Sequence, residues 1–148
     1  MTRHLALSVV ALLAGSAHAQ QWVQTADPLS FERRPPIWCN AQRSACAISW
    51  QASGPSGALR VALIVEGTPD CENRRPRYVY VRNDGAKDGD VRSIHAMQGH
   101  ACILDIPMSQ VEGSKLLRFS VPMLTQDSVL IELPLEGLDV DRLPKNRS

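Results

Sequence analysis

Alternation of apolar and polar side chains with a period of two dominates the chain from residue 37 onward. The clearest run is 59–66, where Leu59, Val61, Leu63 and Val65 fall on one face and Arg60 and Glu66 on the other. Successive side chains of a strand point to opposite faces, so this spacing predicts a half-buried β-strand. Residues 77–82 set Val79 and Val81 opposite Tyr78 and Tyr80, and in 116–121 Leu117, Phe119 and Val121 alternate with Arg118 and Ser120. Weaker strands are predicted over 37–41, 45–51, 91–97, 101–106 and 128–133. Turn chemistry separates them: Ser53-Gly54-Pro55-Ser56-Gly57, an interruption over 67–70, Asn83-Asp84-Gly85 extended through Lys87-Asp88-Gly89-Asp90, and Gln98-Gly99-His100. Helix is scarce. Ser109 with Glu112 has capping-box spacing, which predicts one or two helical turns over 107–113 stopped by Gly113, and a last turn fits 138–143. About seven to nine short strands with so little helix predict an all-β domain, an antiparallel β-sandwich or open barrel.

The two ends follow other rules. Arg3, the apolar run 5–13 and the small-residue site Ala17-His18-Ala19 make 1–19 a secretory signal peptide, so the working chain is expected to begin at Gln20. That apolar run is too short to cross about 30 Å of hydrocarbon. Residues 20–36 read as an extended N-terminal segment, because Asp27-Pro28 and Arg33-Arg34-Pro35-Pro36 block regular structure. The β-domain is expected over 37–143 and a disordered tail over 144–148.

The full chain of 148 residues carries a net charge of +1 with both signs interspersed, which argues against a nucleic-acid partner. Loss of the signal leaves no later apolar stretch for a membrane. All four cysteines follow the signal, and an even count in an exported domain predicts two disulfides and a periplasmic or secreted location. Cys39 and Cys46 flank six residues that read as a turn between strands, and facing hairpin positions lie within disulfide reach. Cys71 and Cys102 then pair by elimination. The competing reading is a Cys/His metal site using His95 or His100.

Catalytic patterns are lacking, and no enzyme activity and no cofactor are expected. No Gly-x-Ser-x-Gly elbow occurs, and only His95 and His100 remain as bases once the signal is removed. Glu66, Asp70, Asp105 and Glu132 are candidate paired carboxylates, but they fall at strand edges or on solvent faces. His95, Met97 and His100 flank one turn, and imidazole with thioether suits Cu(I); the plainer reading is a hairpin with Met97 in the core. Asp84, Asp88 and Asp90 miss the EF-hand spacing. Arg74, Arg75, Arg77 and Arg82 cluster around one strand, and their planar forks suit carboxylate or phosphate partners, although edge arginines also discourage sheet-to-sheet pairing. Trp22 is the freest tryptophan and completes the candidate partner-binding set; Trp38 and Trp50 are expected to pack over the first disulfide.

The run from Cys102 through Asp105 to Ser109 resembles the second cysteine block of the invasion-associated locus B proteins. The opening Trp38-Cys39 to Cys46-Ala47-Ile48 and the ending Ile131 to Leu138 are similar to that family's first cysteine pair and closing strand. This chain departs from the pattern in placing its third cysteine at Cys71, with Met97 where the family has one, and in Leu138 where an aromatic is common. The resemblance implies an exported, disulfide-bonded β-domain of a Gram-negative bacterium, without catalytic residues. The function expected first is binding of a protein or cell-surface macromolecule. The alternatives are a periplasmic inhibitor or immunity protein, acting on a cell-wall hydrolase or toxin through the loops 69–76 and 83–90, and a periplasmic copper-binding protein.

Overall fold

The structure, a computed structural model, describes residues 21–24, 36–51, 57–96 and 101–146. The expected signal peptide, the turn 53–56, Met97, His100 and the last two residues of the tail lie outside the described residues. Among the described residues ten strands form two antiparallel sheets, so the fold is an all-β, sandwich-like domain. The strands are β1 (Gln21–Gln24), β2 (Pro36–Cys39), β3 (Ala45–Gln51), β4 (Ala58–Ile64), β5 (Arg77–Arg82), β6 (Gly85–Asp88), β7 (Ser93–Ala96), β8 (Ala101–Pro107), β9 (Leu116–Val121) and β10 (Val129–Pro134). One sheet runs β1-β2-β3-β4-β8-β7 and the other β10-β9-β5-β6.

Alternation decides which face is buried. Leu59, Val61 and Leu63 of β4, with Leu104 and Ile106 of β8, turn inward from the larger sheet. They meet Tyr78 of β5, Leu117, Phe119 and Val121 of β9, and Ile131 and Leu133 of β10 in one continuous core. A fully buried Leu, Ile or Phe adds about 1.5–3 kcal/mol, which makes this layer the main stabilising term. Cys39 and Cys46 are register partners with Cα atoms 4.1 Å apart, and their disulfide ties β2 to β3. The second bond, Cys71–Cys102 at 6.2 Å, staples the loop after β4 to β8. Both pairings match the expectation, and two disulfides suit an oxidising compartment. No described helix is long and apolar enough to cross a membrane.

Several local expectations are corrected. Within the expected lead-in, Gln21–Gln24 is a strand that pairs with β2, with Gln24 opposite Pro36. The expected tail is also partly structured: Trp50 N–H donates to Pro144 O (3.0 Å), and Asn146 N–H donates to Trp50 O (2.8 Å). Among the described residues β2 pairs with β3 at Trp38–Ala47 and Cys39–Cys46, and Pro144 and Asn146 satisfy the backbone of Trp50. Lys87 and Asp88 are not turn but the end of β6, paired with β5. Helix α1 (Met108–Val111) has no side-chain cap, because β8 runs through Pro107 and the helix starts two residues too early for Ser109 to cap it. Gly113, at φ 74°, ends that single turn as expected. The late turn forms as a 3-10 helix over Val140–Arg142.

Candidate functional site

Two polar constellations stand out, a cluster about Asp105 whose His95 edges a cavity of about 250 Å³ and an arginine-lined groove of about 520 Å³. The first lies on the outer face of the larger sheet. Register places Arg60 of β4 and Ser93 of β7 on either side of Asp105 of β8. Arg60 donates from Nε to Oδ1 (2.8 Å) and from Nη2 to Oδ2 (3.1 Å), a bidentate fork. Ser93 Oγ donates to Oδ2 (2.9 Å), and His95 Nε2 lies 2.7 Å from the same oxygen. Asp105 is therefore buried, at 6% exposure, contrary to the solvent-face reading of its sequence position; the covering atoms come from the neighbouring strands. Burial pushes its carboxyl up, but hydrogen bonds from Arg60, His95 and Ser93 outweigh that and hold its pKa at about 2.

Ser, His and Asp together invite a hydrolase reading, and the geometry opposes it. A relay needs the carboxylate on one ring nitrogen and the hydroxyl on the other. Here His95 Nε2 serves Asp105, and Ser93 Oγ stands 3.5 Å from that same nitrogen. The hydroxyl donates to the carboxylate instead. The set is a charge-assisted cluster that ties three strands together. It also engages the one described residue of the copper candidates, since Met97 and His100 lie outside the described residues. Among the described residues, no three His, Cys, Asp or Glu side chains gather into a metal-binding group.

The second constellation is a groove of about 520 Å³ at one end of the smaller sheet, lined by Arg74, Arg75, Arg77, Asp90, Ser120 and Ser128 among others. The loops expected over 69–76 and 83–90 both end here, which brings together two segments nominated separately. Arg74 is held at the rim by Asp70 (2.9 Å) and by the Met123 carbonyl. Asn73 and Arg74 together lower the Asp70 carboxyl below its ordinary value. Arg75 makes one long contact, from Nη1 to Val91 O at 3.3 Å. The Arg77 side chain is exposed and has no ion-pair or hydrogen-bond partner among the described residues.

No family model, curated protein or solved structure matches the chain. The site is therefore read from its own chemistry.

A glycine shapes the groove wall. A Cβ on Gly89 would stand 2.1 Å from the Tyr78 ring, so only glycine lets this backbone lie against the buried aromatic. Burial raises the Tyr78 phenol well above its ordinary pKa, and its O–H donates to Gln110 Oε1, which also accepts Asp90 N–H (3.1 Å). Helix α1 thus fixes the loop that carries Asp90.

The other partner-binding candidates sit elsewhere. Arg82 donates to the Ser109 and Glu112 carbonyls and stacks over Tyr80, 4.9 Å from the centroid. Trp22 packs edge-on against Trp38 at 5.1 Å, with the Arg142 guanidinium 4.1 Å from its centroid. β1 brings it onto β2, so it packs against the domain instead of standing clear of it. Trp38 is buried and its Nε1 donates to Pro134 O (2.9 Å), while Trp50 has the Lys145 ammonium over its ring. Ser120 and Ser128 carried no sequence signal; only the register of β9 and β10 brings them to the groove.

Proposed function

We propose that this chain is an exported, non-enzymatic binding domain, periplasmic or secreted, whose receiving surface is the arginine-lined groove. The observation that carries the reading is the convergence of Arg74, Arg75 and Arg77 on one cavity, with Arg77 lacking a partner among the described residues. An exposed guanidinium is a preformed fork for a carboxylate or phosphate, and serine hydroxyls beside it add donors. The occupied His95 nitrogen supports a role without catalysis. A groove receives a partner's segment, whereas an inhibitor inserts a loop into its target, so the concave shape favours binding over the inhibitor reading. The resemblance to invasion-associated locus B proteins agrees with an exported, disulfide-bonded adhesive or accessory domain.

Affinity capture from the native host, with the oxidised protein and its Arg75→Glu/Arg77→Glu variant as parallel baits, tests the proposal. The expected result is a macromolecule retained by the first bait and lost from the second. Equal recovery on both baits would remove the groove from the account. Isolation of the protein from the host with Gln20 at its N-terminus would support export, and an intact leader on the mature pool would refute it.

A further inference from the structure

We infer that the groove takes an acidic protein segment with an apolar side chain about 10 Å from its carboxylate; this rests on the binding function proposed above. Register partners share a face, and Arg77 of β5, Ser120 of β9 and Leu130 of β10 form one row across the outer face of the smaller sheet. The row runs from the groove to Leu130, the most exposed large apolar side chain described, at 71% exposure. Ser128, two positions before Leu130, already lines the groove, so the two features adjoin. Two strand spacings separate Arg77 from Leu130, roughly 10 Å.

The charge pattern selects the class of partner. Asp90 lines the groove with the arginines, and the neighbouring row carries the exposed Arg118–Glu132 pair. Such mixed signs repel a continuous polyanion but accept one or two carboxylates. A sulfated glycan would also leave Leu130 uncovered, whereas a peptide can offer both an acid and an apolar anchor. In a polyproline II segment, residues three apart face the same way at roughly 9–10 Å, which matches the row.

Capped ten-residue peptides carrying one Glu and one Leu, separated by one to five positions, give the test by fluorescence polarisation against the oxidised protein. The three-apart peptide should bind about fivefold tighter than a peptide with Glu alone. Leu130→Ser should erase that advantage and leave Glu-only binding unchanged, and Arg77→Glu should abolish both. Both substituted side chains are exposed, so neither change threatens the fold. Equal binding of the two peptides, with Leu130→Ser silent, would overturn the paired-anchor inference while the acidic-groove reading stands. Loss of all acidic-peptide binding, or indifference to Arg77→Glu, would overturn both. A heparin-derived oligosaccharide binding more tightly than every peptide would overturn the class of partner.

Discussion

Replacing Arg60 by methionine would strand Asp105, the one buried carboxylate among the described residues, on the outer face of the larger sheet. The Asp105 side chain is 8% exposed and holds four hydrogen bonds, two of them from Arg60. Breaking a buried ion pair by removing one partner costs about 3–5 kcal/mol. Arg60 is 25% exposed, and His95 and Ser93 remain, so about 2–3 kcal/mol is expected. Methionine keeps most of the apolar stem, which limits the loss to the charge. The double variant Arg60→Met/Asp105→Leu should regain at least half of the loss, because no charge is then left unpaired. The acid limb gives an independent reading. The Asp105 carboxyl lies at about 2, below its unfolded value near 3.9, so its contribution is present above the unfolded value and fades as pH falls through the folded one. Discounted for the partly hydrated Arg60, that contribution is about 1–2.5 kcal/mol. Urea unfolding followed by tryptophan fluorescence, with disulfides intact, measures both effects, and Asp105→Asn isolates this group from the other carboxylates. The reasoning fails if Arg60→Met stays within about 0.5 kcal/mol of the parent. It fails equally if wild type and Asp105→Asn lose stability in parallel between pH 5 and 2.

Other perturbations probe the remaining joints. Gly89→Ala would drive a Cβ into the Tyr78 ring and should cost about 2–4 kcal/mol in the same urea assay, whereas Gly85→Ala, with nothing within 4 Å, should cost only the smaller penalty of its positive φ. Removing Cys71–Cys102 releases a loop with a separation of 31 residues and should cost about 4 kcal/mol, against about 2.5 for Cys39–Cys46 with its separation of 7; calorimetry of the two double Cys→Ala variants would show the order. Asn40→Asp replaces the amide N–H₂ that donates to Ser44 Oγ and Glu132 O with an acceptor, and should cost about 2 kcal/mol, read as a lowered urea midpoint.

Strand β4 was legible because three inward positions in a row are Leu59, Val61 and Leu63, and no helix accommodates that period. The first disulfide was legible because a short turn leaves two facing positions. Strand β6 was not, since all four of its residues are exposed and its existence rests on backbone bonds to β5. Nor was the docking of Pro144 and Asn146, which meet the backbone of Trp50 from the far end of the chain. Asp105 illustrates the same limit within the candidate sites. Alternation assigned it to the correct face, but its burial comes from Arg60 and His95, which lie 45 and 10 residues away and meet it only through sheet register. The arginine cluster was visible as composition; its division into paired and unpaired members was not.

That division gives the groove its meaning. Arg60 is neutralised by Asp105, Arg74 by Asp70 and Arg118 by Glu132. Arg82 is tied to two carbonyls, and Arg142 covers Trp22. A near-neutral chain with most of its described guanidinium groups committed internally offers little long-range attraction, so a general appetite for polyanions does not follow from its arginine content. Among the described residues the exceptions are Arg43, exposed in the turn between β2 and β3, and Arg77 and Arg75, the last held by one long bond; of the three, Arg75 and Arg77 open onto the groove. Local availability of two planar forks beside an exposed leucine, rather than bulk charge, is what a selective partner could read.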